Sequence, residues 1–228
     1  MVSYTITQLQ DGLYSVEQSF ALYGAELGIR MTIVVTHSNE VWLHSPVRFG
    51  ANLAAQIATL GTVRAIVSPN KMHRLFLPEW VAAHPQASHY APVGMLLSVP
   101  GGKPPVTLSN TPPKEWDGQL EQMEVRGIPE LNEVVFFHPA TRTLILTDLC
   151  FNIREGGVWT RLLFTLNGAW NRFGPTRILQ RAIQDRVAFR ASIDRILCWD
   201  FDRIIMSHGD IVERDGKALF RAAFVNLR

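Results

Sequence analysis

Three residues stand where apolar runs end, and their types suit one chemistry. Asp202-Arg-Ile-Ile-Met-Ser-His208-Gly209-Asp210 reads as a buried strand that stops at a His-Gly corner. Thr143-Leu-Ile-Leu-Thr-Asp148 delivers a carboxylate in the same way, and Ala65-Ile-Val-Ser-Pro-Asn-Lys-Met-His73 delivers a second imidazole. In sheets covered by helices, ligands gather at the edge where strands deliver their last residues. Two neutral imidazoles and one carboxylate suit zinc, iron or manganese, and they leave positions open for water and substrate. Such a metal activates water and polarises a carbonyl or phosphoryl oxygen. The structural alternative for each histidine is a hydrogen-bonded core residue. For Asp148 it is the cap of a following helix.

The elements that must position these residues come in two rounds. Leu13–Phe20, Met31–Thr36 and Glu40–Ser45 read as an antiparallel meander, with a turn at His37-Ser-Asn. Asn52–Leu60 has helical spacing and stops at Gly61, and Val63–Val67 is a short strand. A short helix with Pro78 in its first turn ends at His84. The stretch 92–113 holds six of the thirteen prolines and reads as a loop. Beyond it the pattern resumes with Met123–Val125, then a hairpin of Glu133–His138 and Thr143–Thr147 around the turn Pro139–Arg142. The segment 156–196 reads as a helical insertion. Its apolar stripe runs from Trp159 to Phe173, and a second helix covers Ala182–Cys198. A last helix spans Lys217–Asn226. The stripe is either a face packed on the sheet or an apolar wall at the site mouth, or a dimer contact.

Bulk properties narrow the classes. Hydrophobic residues at 47% and charged residues at 18% describe an ordinary globular interior, and 228 residues fit one α/β sandwich domain over 1–228. A net charge of +2, with no run of like charges, argues against nucleic acid or an acidic membrane as partner. Cys150 and Cys198 sit in apolar contexts and read as reduced, buried thiols. No basic region followed by an apolar core opens the chain, so a cytoplasmic protein is expected. His84, His89 and His138 read as surface residues.

Taken together, the N-terminal strand pairs, the strand leading to His73, the Thr-Asp148 after the second hairpin and the final Ser-His208-Gly resemble the metallo-β-lactamase superfamily. Within it, the chain is similar to an uncharacterised group. The resemblance implies an αββα four-layer sandwich with a metal site at one edge of the two sheets. It also implies which ligands are present. The superfamily's His-x-His-x-Asp-His falls on Ser68, Pro69, Asn70, Lys71, Met72 and His73, so only the last histidine is kept. The turn Gly127–Glu133 lacks the next expected histidine, while Asp148 and His208 match the remaining ligands. The survivors His73, Asp148 and His208 would serve a single divalent metal, zinc first, iron or manganese otherwise. His44, Ser68, Asn70 and Glu133 are expected at the cleft, Asn70 and Glu133 as further contacts. The implied activity is hydrolysis of an ester, lactone, thioester or phosphoester by metal-activated water, on a small-molecule substrate, with Asp148 at the centre of catalysis. The second reading is an inert, metal-free member of the fold that binds a small molecule or a protein, and a homo-oligomer fits either reading.

Overall fold

The computed structural model describes residues 4–36, 38–95 and 103–227. The first sheet is built from β1 (Ile6–Gln10), β2 (Leu13–Gln18), β5 (Ile29–Val35), β6 (Glu40–His44), β7 (Thr62–Val67), β8 (Ser88–Ala91) and β9 (Val106–Thr107), in that order across the sheet. A separate hairpin, β3 (Ala21–Leu22) and β4 (Ala25–Glu26), projects between β2 and β5. Pairing is antiparallel from β1 to β6 and parallel from β6 to β9. The β6–β7 and β7–β8 pairs need crossovers, and α1 (Ala51–Leu60) and α2 (Leu77–Ala83) provide them. The second sheet has the order β10 (Glu121–Glu124), β11 (Val134–His138), β12 (Thr143–Ile145) and β13 (Arg203–Ile205), with β12 and β13 parallel. Between those two strands run α3 (Val158–Leu166), α4 (Arg177–Arg181) and α5 (Arg186–Ile196), and α6 (Gly216–Phe224) follows β13.

The period-2 alternation of the strands sorts side chains into layers. In β6, Val41 and Leu43 join Leu53 and Ile57 of α1 and Trp80 of α2, whereas Trp42 faces the opposite way. In β11, Val134 and Phe136 face Trp42, while Val135 and Phe137 join Phe189 of α5 and Phe220 of α6. Three stacked cores follow: helices on the first sheet, sheet on sheet, and the second sheet on helices. This is the αββα sandwich, with Trp42, Trp116 and Phe136 in mutual edge contact between the sheets. A fourth, smaller cluster of Ala25, Ile153, Phe164 and Ala169 seats α3 beside β4.

Several readings of the chain are corrected. Ile6–Gln10 is a strand, paired across the Asp11-Gly12 turn, although its polar composition hides it. The apolar stripe stops as helix at Leu166, because Asn167 caps it and Gly168 turns at φ +68°; Trp170 and Phe173 lie beyond. The helix expected over Ala182–Cys198 is the shorter α5, and a further short helix, α4, precedes it, with Thr176 and Asp185 as their N-caps. The proline-rich stretch supplies the edge strand β9 and buries Leu108, so its described part is not simply a loop. Residues 96–102 of that stretch, and His37 of the expected turn, lie outside the described residues. His89 and His138 are buried strand residues, not surface ones. Cys150 is buried as expected, but Cys198 is exposed, and both are free thiols.

Candidate metal centre

His73 lies in the loop after β7, and Asn70 shapes that loop. The Asn70 Oδ1 accepts from the backbone N–H of Met72 at 2.8 Å and of His73 at 3.0 Å, a side-chain turn that aims the imidazole inward. Its Nδ2 shares two hydrogens among Asp148 Oδ2 at 2.7 Å, Thr147 Oγ1 at 2.9 Å and Glu133 Oε2 at 3.2 Å. The Ser68 hydroxyl donates to the His73 carbonyl and ties the loop's two ends.

Asp148 follows β12 by three residues, and Glu133 fixes that turn. Glu133 accepts from the backbone N–H of Thr147 at 2.7 Å on one oxygen. On the other it accepts from Asp148 at 2.9 Å and Leu149 at 3.0 Å. Burial and the neighbouring Asp148 push the Glu133 carboxyl up to about 7, against the pull of these hydrogen bonds. At Asp148 burial acts in the same direction, but His73 and His208 outweigh it and hold the carboxyl well below its usual range.

His208 stands just past β13, stacked on Phe151 with ring centroids 5.4 Å apart. Its Nδ1 is 2.6 Å from the Gly28 carbonyl oxygen. A carbonyl only accepts, so Nδ1 carries the hydrogen and the neutral ring presents the Nε2 lone pair to Asp148. That Nε2 lies 3.4 Å from Asp148 Oδ1, and His73 Nε2 lies 3.1 Å from Asp148 Oδ2. On its far side His73 Nδ1 meets the Ser45 hydroxyl at 2.6 Å, and Ser207 donates to that hydroxyl at 3.2 Å. Ser45 holds this place at φ +53°, an uncommon conformation for serine that turns its side chain off the end of β6.

The three donor groups fit a divalent cation. One atom from each of His73, Asp148 and His208 lies within 4.8 Å of the others. A lone pair aimed at a carboxylate is repulsive unless a cation or a proton lies between them. The outer nitrogens already have oxygen partners in Ser45 and Gly28, the arrangement by which imidazole ligands are oriented.

The three residues form the floor of a cleft of about 670 Å³. Its walls are Leu22 and Tyr23 of the β3–β4 hairpin, Met72 and Leu75 of the His73 loop, Trp159 and Leu163 of α3, and Ile178 of α4. The helix stripe is therefore a wall at the site mouth as well as a packed face. The side chains of His44, Ser68, Asn70 and Glu133, expected at the cleft, do not line it. Each is buried behind the floor. His44 stacks on Trp42 and abuts Phe136, and burial, with His73 nearby, holds its pKa well below the usual imidazole value. These four positions serve as struts behind the floor. Sequence reasoning missed Ser45 and Gly28, which only the fold brings against the histidines. Ser207 carried a faint signal, as the neighbour of His208.

In chain tracing and layer order this is the metallo-β-lactamase fold. The DIM-1 metallo-β-lactamase exposed to ceftazidime superposes with a TM-score of 0.67 at 16% identity, over 100% of this chain and 99% of that one. A metallo-β-lactamase from Pontibacter korlensis gives 0.67 at 16% identity, over 98% and 100%. The mono-zinc form of FIM-1 from Pseudomonas aeruginosa gives 0.64 at 14% identity, over 99% and 95%. By sequence the chain belongs to DUF4336, a domain of unknown function, whose profile matches residues 10–160. No match was found among curated proteins.

Proposed function

We propose that this protein is a metal-dependent hydrolase with a mononuclear site held by His73, Asp148 and His208. The observation that carries this reading is the convergence of His73, Asp148 and His208 on one point. The Gly28 carbonyl takes the Nδ1 hydrogen of His208, which leaves Nε2 facing the Asp148 carboxylate with His73 beside it. A single site is further supported by the use made of Asn70 and Glu133, whose polar atoms are committed to backbone and side-chain hydrogen bonds. The mono-zinc form of the FIM-1 relative is a precedent for one ion in this fold. Zinc, iron or manganese held there supplies a Lewis acid that makes water nucleophilic near neutral pH.

The chain's own groups do the rest. Asp148 Oδ2 is engaged by Asn70 and His73, so Oδ1, which faces His208 Nε2 at 3.4 Å, is the oxygen placed to accept a hydrogen bond from a water and orient it. In the hydrolysis the water oxygen bonds to the ester carbonyl carbon and the acyl C–O bond breaks. One proton stays with the acid and the other passes to the departing alkoxide. The apolar walls keep bulk water from the reacting carbonyl. We place the protein in the cytoplasm, a setting that the two free thiols fit. Among the described residues no helix is long and apolar enough to cross a membrane.

The inert reading keeps one observation in its favour: His73 Nε2 and Asp148 Oδ2 are already at hydrogen-bond distance. Plasma mass spectrometry on tag-free protein prepared without chelator separates the two readings. Near-stoichiometric metal, lost in His73→Ala and Asp148→Ala, is the expected result. No metal, even after incubation with zinc or manganese, refutes the hydrolase.

A further inference from the structure

The cleft has a chemical character of its own. Among the described residues no lysine or arginine lines it, and its two acidic side chains are Asp148 at the floor and Glu130 at the rim. Two nearby cations are engaged elsewhere: Lys71 Nζ donates to the Pro129 carbonyl at 2.7 Å, and Arg48 lies over the Phe76 ring. An anionic group entering the cleft would lose its hydration with no partner on the walls, next to Glu130. Meanwhile large apolar side chains stay open around the mouth, with Tyr23 at 89%, Leu75 at 64% and Ile178 at 65% exposure. An apolar patch of this kind, ringed around polar donors at its floor, is the signature of a small-molecule site.

We infer that the cleft binds an uncharged, lipophilic carboxylic ester or lactone. The carbonyl lies over His73, Asp148 and His208, and the hydrocarbon tail lies against Leu75, Trp159 and Ile178. The walls select against a phosphate or carboxylate on the part of the substrate that lies along them. The reaction rests on the hydrolase reading above, whereas recognition rests on the cleft alone, so the two fail separately.

The test is direct binding to the chelator-treated full chain, where no cation at the floor can attract an anion, followed by tryptophan fluorescence and calorimetry, with the zinc-incubated chain kept for the hydrolysis assays. The probes are methyl ketones with butyl to octyl tails, which mimic the ester but are not cleaved, and octyl phosphate. The expected result is tightening of about fourfold per added methylene, the value for full burial of each. Octyl phosphate binds at least about tenfold more weakly than octyl methyl ketone. Leu75→Lys and Ile178→Lys, at exposed positions where a charge does not disturb the fold, weaken the octyl ketone by about tenfold or more and narrow the gap to the phosphate. Equal or tighter binding of octyl phosphate to the natural chain overturns the inference, as does the lack of any chain-length trend. So does failure of the ketones to bind together with a drop in assembly size for Leu75→Lys in sedimentation, which would assign the patch to a contact between copies. Hydrolysis of octanoyl and acetyl esters is read in parallel. Ketone binding without ester cleavage keeps the recognition and refutes the hydrolase. Cleavage without a preference for long chains does the reverse.

Discussion

Asn70→Asp replaces one amide nitrogen by oxygen and is nearly isosteric, yet it should be among the most damaging single changes near the site. The two contacts accepted by Oδ1, from Met72 and His73, survive. The Nδ2, at 2.7 Å from Asp148 and 3.2 Å from Glu133, becomes an acceptor facing two acceptors. With all three carboxyls ionised, the like-charge terms at an effective dielectric of 20 are about 6 and about 5 kcal/mol. Taking up a proton on the new carboxyl is cheaper, because an O–H between the oxygens restores a donor. That costs about 1.4 kcal/mol for each pH unit above its ordinary value near 4, so about 5 kcal/mol near pH 8 and about 2 kcal/mol near pH 5.5. The sign follows: a carboxyl whose folded pKa is raised loses stability as pH rises towards that value. Urea unfolding of chelator-treated natural, Asn70→Asp and Asn70→Ala proteins at both pH values measures it. Asn70→Ala loses the same donor without adding a charge, so its penalty should rise less between the two pH values, the residual rise coming from Glu133, whose carboxyl the Asn70 amide holds down. An Asn70→Asp penalty equal at the two pH values would refute the reasoning.

Four further outcomes follow from the same structure. Gly209→Ala places a methyl 2.3 Å from the Asn152 carbonyl oxygen at a φ of +84°, so it should cost about 2–4 kcal/mol and displace His208, read by urea unfolding and by lost metal content. Burial lowers the His89 pKa to about 4. The unfolded chain therefore takes up a proton first, and stability falls as pH drops from about 6.5 towards 4. His89→Leu should remove about 2 kcal/mol of that fall, after allowance for solvent screening. Zinc at about a hundredfold excess over its Kd should raise Tm by roughly 5–10 °C in the natural chain and leave His208→Ala unmoved. Native protein should react with a thiol reagent at Cys198 alone, and at both cysteines in denaturant, since Cys150 is buried and its thiol is pushed well above its usual value.

The strands and the three floor residues were legible because each depends on a local pattern, whereas the layer order came with the family resemblance. Strand alternation gives the sheets, and apolar runs that end in His or Asp mark the strand ends. What was hidden depends on approach through space. Asn70 and Glu133 have the residue types of ligands. Only the positions of three backbone N–H groups at 147–149 reveal that Glu133 faces inward to the turn and not outward to the cleft. The role of Gly28 is invisible in sequence, since a backbone carbonyl has no residue signature, yet it decides the tautomer of His208. Ile6–Gln10 lacked apolar alternation because it is an edge strand with a largely solvated surface.

The hydrogen bond from His208 to Gly28, and that from the Arg30 N–H to the Ser207 carbonyl at 2.9 Å, join residues almost the full length of the chain apart. Contacts of such long range carry a kinetic consequence. During synthesis, His73 and Asp148 leave the ribosome well before His208, so an emerging chain holds only part of the donor set. Closure of the loop between residues 28 and 208 must await β13 and is an intrinsically late event. Metal capture at this site would then signal that β13 has docked, and that strand would act as the gate to activity.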